Sequence, residues 1–210
     1  MQKSDMSNTL FTIGHSDRPI DDLIALLKLH NVTALCDVRS VPYSRRHPQF
    51  NREPLARFLR PHDIEYVYLG DELGARSKDP SCYVNGKASF QKIAATALFK
   101  NGLARIRLGR EKNYALALMC AEKDPMHCHR SILICRNLRG QGFDIRHIID
   151  FEKTETQAEL ERRLVAHLKL HPDIFEDAGP DSLIERAYDL QGDRMAYGKG
   201  DREGTEEERR

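Results

Sequence analysis

The chain has 210 residues, with 33 Lys+Arg against 32 Asp+Glu, 40% hydrophobic residues and 31% charged residues. These values exclude collagen-like, coiled-coil, mucin-like and wholly disordered classes, and they fit a globular domain with extensions. A formal net charge of +1 excludes a global basic field for nucleic acid, so any anion binding must come from a local patch.

No apolar run is long enough to span a membrane, and no membrane partner is expected. The opening MQKSDMSNTL lacks the apolar segment of a signal peptide, which gives the expectation of a cytoplasmic protein. Five cysteines in such a chain point to free thiols, a metal site or a catalytic thiolate rather than disulfides.

Taken in order, residues 10–13 (LFTI) read as a strand that ends at Gly14-His15-Ser16. Residues 20–30 carry apolar positions at helical spacing, with Asp21 and Asp22 at the end that favours negative charge. Residues 32–38 (VTALCDV) form a buried strand that leads to Arg39, and 39–50 (RSVPYSRRHPQF) is a proline-containing loop. A short helix follows Asn51 and stops before Pro61, and 64–69 (IEYVYL) is a third strand. Residues 70–86 make a long loop of the kind that carries function.

A helix is expected at 89–101, with Gly102 just past its end. A fourth strand at 114–119 (YALALM) ends in Cys120-Ala121-Glu122. Another helix starts near Cys128 and runs to Arg139, and 143–149 (FDIRHII) is the last strand. The alternation argues for a three-layer α/β/α fold on a mostly parallel sheet of about five strands. The expected domain covers 8–150. Helices near 155–171 and 182–190 make a C-terminal extension, 151–191, packed on it. From Gly192 to 210 the composition predicts a disordered charged tail.

Ligands of parallel sheets bind at the carboxyl ends of strands, and the reactive residues of this chain fall there. Cys128, at an expected helix start with His127, His129 and Arg130 beside it, is the candidate nucleophile. His15 and His129 are candidate acid–base groups, and Glu122 is a third. Asp37 and Arg39, two apart on a strand end, share a side, where Asp37 orients a partner and Arg39 clamps an anion. Arg130 is a second anion contact. Cys120 and Cys128 with His129, or with another of the histidines His15, His127 and His147, could instead hold zinc or iron. The composition requires no cofactor.

Between residues 39 and 60 stand six arginines against one acidic residue, Glu53. A phosphate-bearing ligand or nucleic acid could dock on them, with Arg39 and Arg45 the favoured contacts. Two motif matches fail. No Gly-rich phosphate loop is present, and Ile134 stands where the His-Cys loop of cysteine phosphatases needs an arginine.

TIGHS (12–16), DVRSVPYSRRHPQF (37–50), LGDELG (69–74), LALMCAEKDPMHCHR (116–130) and the closing HI (147–148) together resemble the DUF488 family over about residues 10–150. The resemblance implies an α/β fold and little chemistry. Its blocks fall on His15, Ser16, Asp37, Arg39, Pro42, Ser44, Phe50, Gly74, Cys120, Glu122, Cys128, His129 and Arg130, which adds Ser16 and Ser44 to the expected substrate contacts. The expected function is a cysteine-dependent hydrolase or transferase acting on a small anionic or nucleotide-type ligand. The alternatives are a zinc or iron site protein and a non-catalytic phosphate- or nucleic-acid-binding module.

Overall fold

The computed structural model describes residues 8–171 and 180–198. In chain order the elements begin β1 (Thr9–Gly14), α1 (Ile20–Leu29), β2 (Ala34–Asp37), α2 (Arg52–Leu59), β3 (Glu65–Tyr68) and α3 (Gly70–Leu73). A small hairpin of β4 (Tyr83–Val84) and β5 (Lys87–Ala88) precedes α4 (Phe90–Ala95), α5 (Ala97–Glu111) and β6 (Leu116–Cys120). A π-helical segment, Arg130–Cys135, runs into α6 (Arg136–Leu138). The last elements are β7 (Asp144–Ile148), β8 (Thr154–Thr156), α7 (Gln157–His167) and α8 (Pro180–Met195).

The main sheet has six strands in the order β3-β2-β6-β1-β7-β8. All neighbours are parallel except β7 and β8. Successive side chains of a strand face opposite sides, and the core divides accordingly. Phe11, Leu35, Ala117 and Met119 pack with α1 and α2 on one face. Leu10, Cys36, Leu116 and Leu118 pack with α3 to α8 on the other. Strands covered on both faces need near-continuous apolar sequence, which is what residues 10–13 and 116–119 supply.

The order places the site. After β1 and β2 the chain crosses by α1 and α2 on one face; after β6 it crosses by the π segment and α6 on the other. Adjacent strands whose connections leave to opposite faces open a crevice at their carboxyl ends. The loops after β1, β2 and β6 meet there: the His15 amide donates to the Cys120 carbonyl (2.9 Å) and the Val38 amide to the Met119 carbonyl (3.1 Å).

The α/β architecture is the one expected, with several boundaries moved. The sixth strand, β8, falls where a helix was expected from residue 155. Its Thr156 caps α7 through a reciprocal capping box with Glu159. The expected helix at 89–101 is two helices, because Thr96 is extended and caps α5 with its hydroxyl on the Phe99 amide (3.1 Å). Gly102 is not a stop; it lies inside α5, where a Cβ would meet Leu73 Cδ2 at 2.6 Å. Helix α8 continues through Gly192 to Met195, Gly198 bridges Lys87, and Ala88 donates to the Tyr197 carbonyl. Residues 192–198, expected in the tail, are therefore structured, and the rest of that expectation, residues 199–210, lies outside the described residues. Among the described residues, no helix is long and apolar enough to cross a membrane.

His147, in β7, belongs to the interior rather than to the crevice. Its Nε2–H donates to Gln157 Oε1 (3.0 Å), so Nδ1 accepts from the Thr12 hydroxyl (2.8 Å). Tyr188 then bonds both Gln157 and Glu161. Burial, reinforced by the Arg130 charge, lowers the His147 pKa from 6.5 to about 3. The folded chain holds this ring neutral while the unfolded chain protonates it near 6.5. Stability from this group is therefore complete above about pH 6.5 and is lost as pH falls toward 3, by about 1.4 kcal/mol per unit. Urea unfolding of the wild type at pH 7 and pH 5 should differ by about 2 kcal/mol more than the same pair of measurements on His147→Gln. Gly102→Ala should cost about 1–3 kcal/mol in the same assay, because Leu73 and Glu72 must give way.

Candidate functional site

An open cleft of about 1670 Å³ lies over the crevice. Cys120, Glu122 and His129 line its floor, and Arg39, Ser44, Arg45, Arg46, His47 and Arg76 line its walls. The C-terminal segment contributes Met195 and Tyr197.

Asp37 and Arg39 form the frame. Arg39 Nε and Nη2 bond the two carboxylate oxygens of Asp37 at 2.9 and 2.6 Å, the fork geometry of a strong pair. Nη2 also donates to the Phe50 carbonyl (2.7 Å), Nη1 meets His15 Nε2 (3.1 Å), and Tyr66 donates to Asp37 Oδ2 (2.7 Å). One ion pair thus joins β1, β2, β3 and the loop before α2. Arg39 borders the cleft, and its guanidinium is fully engaged within the frame.

His15 is buried and stacked on Phe50, with ring centroids 4.3 Å apart. Its Nδ1–H donates to the Ser16 carbonyl (2.8 Å), which leaves Nε2 to accept from Arg39. Burial and the Arg39 charge lower its pKa from 6.5 to about 4. Both ring nitrogens are thus satisfied, and the ring supports the Arg39 guanidinium. Ser16 turns away from the floor, in a left-handed conformation, and bonds Asp17. Ser44 and Arg45 do line the cleft. Asn51 pins the loop by accepting from the Ser44 amide (2.6 Å).

The floor is a cluster of two thiols, a carboxyl group and an imidazole. Glu122 Oε2 lies 3.1 Å from Cys120 Sγ and 3.0 Å from Cys128 Sγ. His129 Nδ1 lies 3.6 Å from Cys120 Sγ, and its Nε2–H donates to the Val38 carbonyl (3.0 Å). Cys120, Cys128 and His129 are all buried. Glu122 is exposed along most of its length, but its carboxyl end turns back onto the sulfurs. Burial there and the neighbouring Cys128 raise its pKa.

Burial opposes a thiolate at Cys128, yet Cys120, Arg130 and His129 together outweigh it and hold Cys128 well below the ordinary thiol range. Cys120 is pushed well up, by its hydrogen bond to Cys128 and by burial. Cys128 is therefore the sulfur that loses its proton first. It stands at the start of the helical run, as expected, and its carbonyl accepts from the Ser131 and Ile132 amides (3.1 Å each). Pro125–His127 forms a 3-10 turn capped by Asp124, and Cys128 is extended, with its thiol directed inward. It is 1% exposed and does not line the cleft, whereas Cys120 does. The nucleophile expected from the sequence thus lies beneath the floor.

Arg130 lies deeper still. It is fully buried, and it donates to the Glu122 carbonyl (2.6 Å), the Lys123 carbonyl (3.0 Å) and Thr12 Oγ1 (3.3 Å). From inside the fold it holds the Glu122 loop. Gly14 meets the same loop so closely that a Cβ there would fall 1.9 Å from the Glu122 carbonyl oxygen.

A family model described as "Domain of unknown function DUF488" matches residues 19–136, more than half of the chain. The chain belongs to the DUF488 family. In this DUF488 protein the matched span holds the Asp37–Arg39 frame and the entire Cys120–Arg130 floor, while His15 falls just before it. No curated protein and no solved structure matches the chain.

Sequence reasoning missed several residues that shape the site. Arg76 and Tyr197 stack at 4.4 Å on one wall. Arg163 of α7 bonds Asp124 at 2.8 and 2.9 Å and Glu155 at 2.7 Å, and Gln191 of α8 donates to the Met126 carbonyl (2.9 Å). The C-terminal helices thus brace the loop that carries Glu122. Asp37→Ala, which strands the Arg39 charge, should cost about 3–5 kcal/mol in urea unfolding. Arg39→Lys should lose much of that too, because an ammonium cannot reproduce the fork.

Proposed function

We propose that this DUF488 protein is an enzyme that carries out hydrolysis or group transfer on a small phosphate-bearing, nucleotide-type substrate. One observation carries the reading: uncommitted arginines surround a floor of sulfur, carboxyl and imidazole groups at a sheet switch point. Arg45 and Arg46 are exposed, and among the described residues neither forms an ion pair. Arginine beside a cleft suits phosphate because its planar fork binds two oxygens at once. Glu122, with its raised pKa, is the group suited to carry a proton at the reacting centre, with His129 and Cys120 beside it. The reading is narrower than the sequence expectation in two respects. Arg45, Arg46 and Arg76 replace Arg39 and Arg130 as anion contacts, and His15 serves as a positioning residue.

The non-catalytic phosphate-binding reading uses the same walls and leaves the floor without a role. The reading is tested by titrating the protein calorimetrically with ATP and with inorganic phosphate at low and high salt. Binding should weaken as salt rises, and the double variant Arg45→Ala/Arg46→Ala should bind about tenfold or more weakly. Release of phosphate or base from nucleotides should fall about 100-fold or more in Glu122→Gln, with ATP binding retained. Binding that ignores salt and the double variant would sink the proposal.

A further inference from the structure

We infer that Cys120, Cys128 and His129 are the ligands of a zinc ion whose fourth position opens into the cleft beside Glu122. Catalytic use of that ion rests on the reading above; its presence does not. Three independent features of the geometry support it.

The first is spacing. The ligand atoms of the three residues all lie within 4.8 Å of one another. Zinc held tetrahedrally about 2.3 Å from sulfur and about 2.0–2.1 Å from nitrogen sets those two atoms about 3.6 Å apart. Cys120 Sγ and His129 Nδ1 are 3.6 Å apart. The second is the tautomer. Because Nε2–H is donated to the Val38 carbonyl, Nδ1 is the nitrogen that faces the sulfurs. A second hydrogen bond of this kind, to a backbone carbonyl, is what orients a metal-binding histidine. The third is that the loops are rigid before any ion arrives. Arg130 holds two carbonyls of the Glu122 loop, Asp124 caps the turn before Cys128, and Arg163 holds Asp124.

Two sulfurs and one imidazole make a donor set that suits zinc better than magnesium or calcium, which prefer oxygen. Three protein ligands with one open position are the arrangement of catalytic rather than structural zinc. Both sulfurs bind as thiolates, so any thiol proton still present leaves as the ion binds and the two negative charges balance its own. Glu122 then loses its thiol partners and stands at the open position, where a carboxylate can take the proton of a zinc-bound water. Glutamates beside other Cys/Cys/His zinc ions play that part without being ligands.

The test is zinc and iron content per chain in reduced, untagged protein purified without chelator, followed by replacement of the ion with cobalt(II). About one zinc per chain is expected, and the cobalt form should show the thiolate charge-transfer band and the intense visible bands of a tetrahedral site. Cys128→Ser should lower zinc content about tenfold or more, while Cys36→Ala, a buried cysteine outside the cluster, should leave it unchanged. The far-ultraviolet circular dichroism of the metal-free variants checks that they are folded. Less than about a tenth of an equivalent of zinc with no cobalt bands, iron in place of zinc, or bands unaltered by Cys128→Ser would overturn the inference. ATP titration of the metal-free wild type separates the two proposals. Binding without metal uptake leaves the cleft reading standing and removes the zinc; zinc without ATP binding does the reverse.

Discussion

The carboxyl edge of this sheet is organised by one buried charge pair. Asp37 and Arg39 are both withdrawn from solvent, so each must satisfy the other in a medium where an isolated charge is costly. Their spare hydrogen-bonding capacity reaches Tyr66 on β3, His15 after β1 and the Phe50 carbonyl before α2. Burying the pair gains little net energy compared with an apolar filling of the same shape. What it supplies is position: each donor in the Arg39 fork has one partner, so three loops have one arrangement. The floor of the cleft inherits that arrangement through the Val38 carbonyl, which follows Asp37 and accepts from His129.

Arg130 plays the matching part on the other side of β6. Its guanidinium donates to two carbonyl oxygens and a hydroxyl, and the neighbouring Cys128, Cys120 and Glu122 groups favour its charge. That buried positive charge contributes to the acidity of Cys128 and to the low pKa of His147. Arg39 and Arg130 are therefore engaged inside the fold, whereas Arg45 and Arg46 stand exposed in the loop. This division fits the physics of each task. Fixed geometry needs burial, whereas recruiting an anion needs exposed charge that can adjust.

Much of this was legible in the sequence, for a definite reason. Strands buried on both faces leave continuous apolar runs, and at their ends the first polar residues are those of the crevice, so His15, Asp37, Arg39, Cys120 and Glu122 were found by position alone. The short or irregular pieces were not. β8 has three residues and no periodicity to detect. Thr96 breaks one helical pattern into two through its own hydroxyl, a local competition that spacing does not register. The depth of Cys128 follows from how the folded loop packs, and the buried station of Arg130 follows from carbonyls that only that loop presents. Arg76, Arg163, Gln191 and Tyr197 reach the site from remote parts of the chain, so nothing near them in sequence announces the contact.

The asymmetry of the sheet has a further consequence. On one side the last parallel strand, β7, is covered by the short antiparallel β8, whose residues lead at once into α7. On the other side β3 is the outermost strand, four residues long, with Glu65 exposed at its start. A sheet margin with free peptide groups is a template for another chain, and a brief strand carrying charge is a poor one. The sheet thus ends on both sides in a brief strand, three residues in β8 and four in β3, and Glu65 adds a carboxylate to the β3 margin. Replacing Glu65 with an apolar β-branched residue would remove the charge from the β3 margin and favour self-association through it at high concentration.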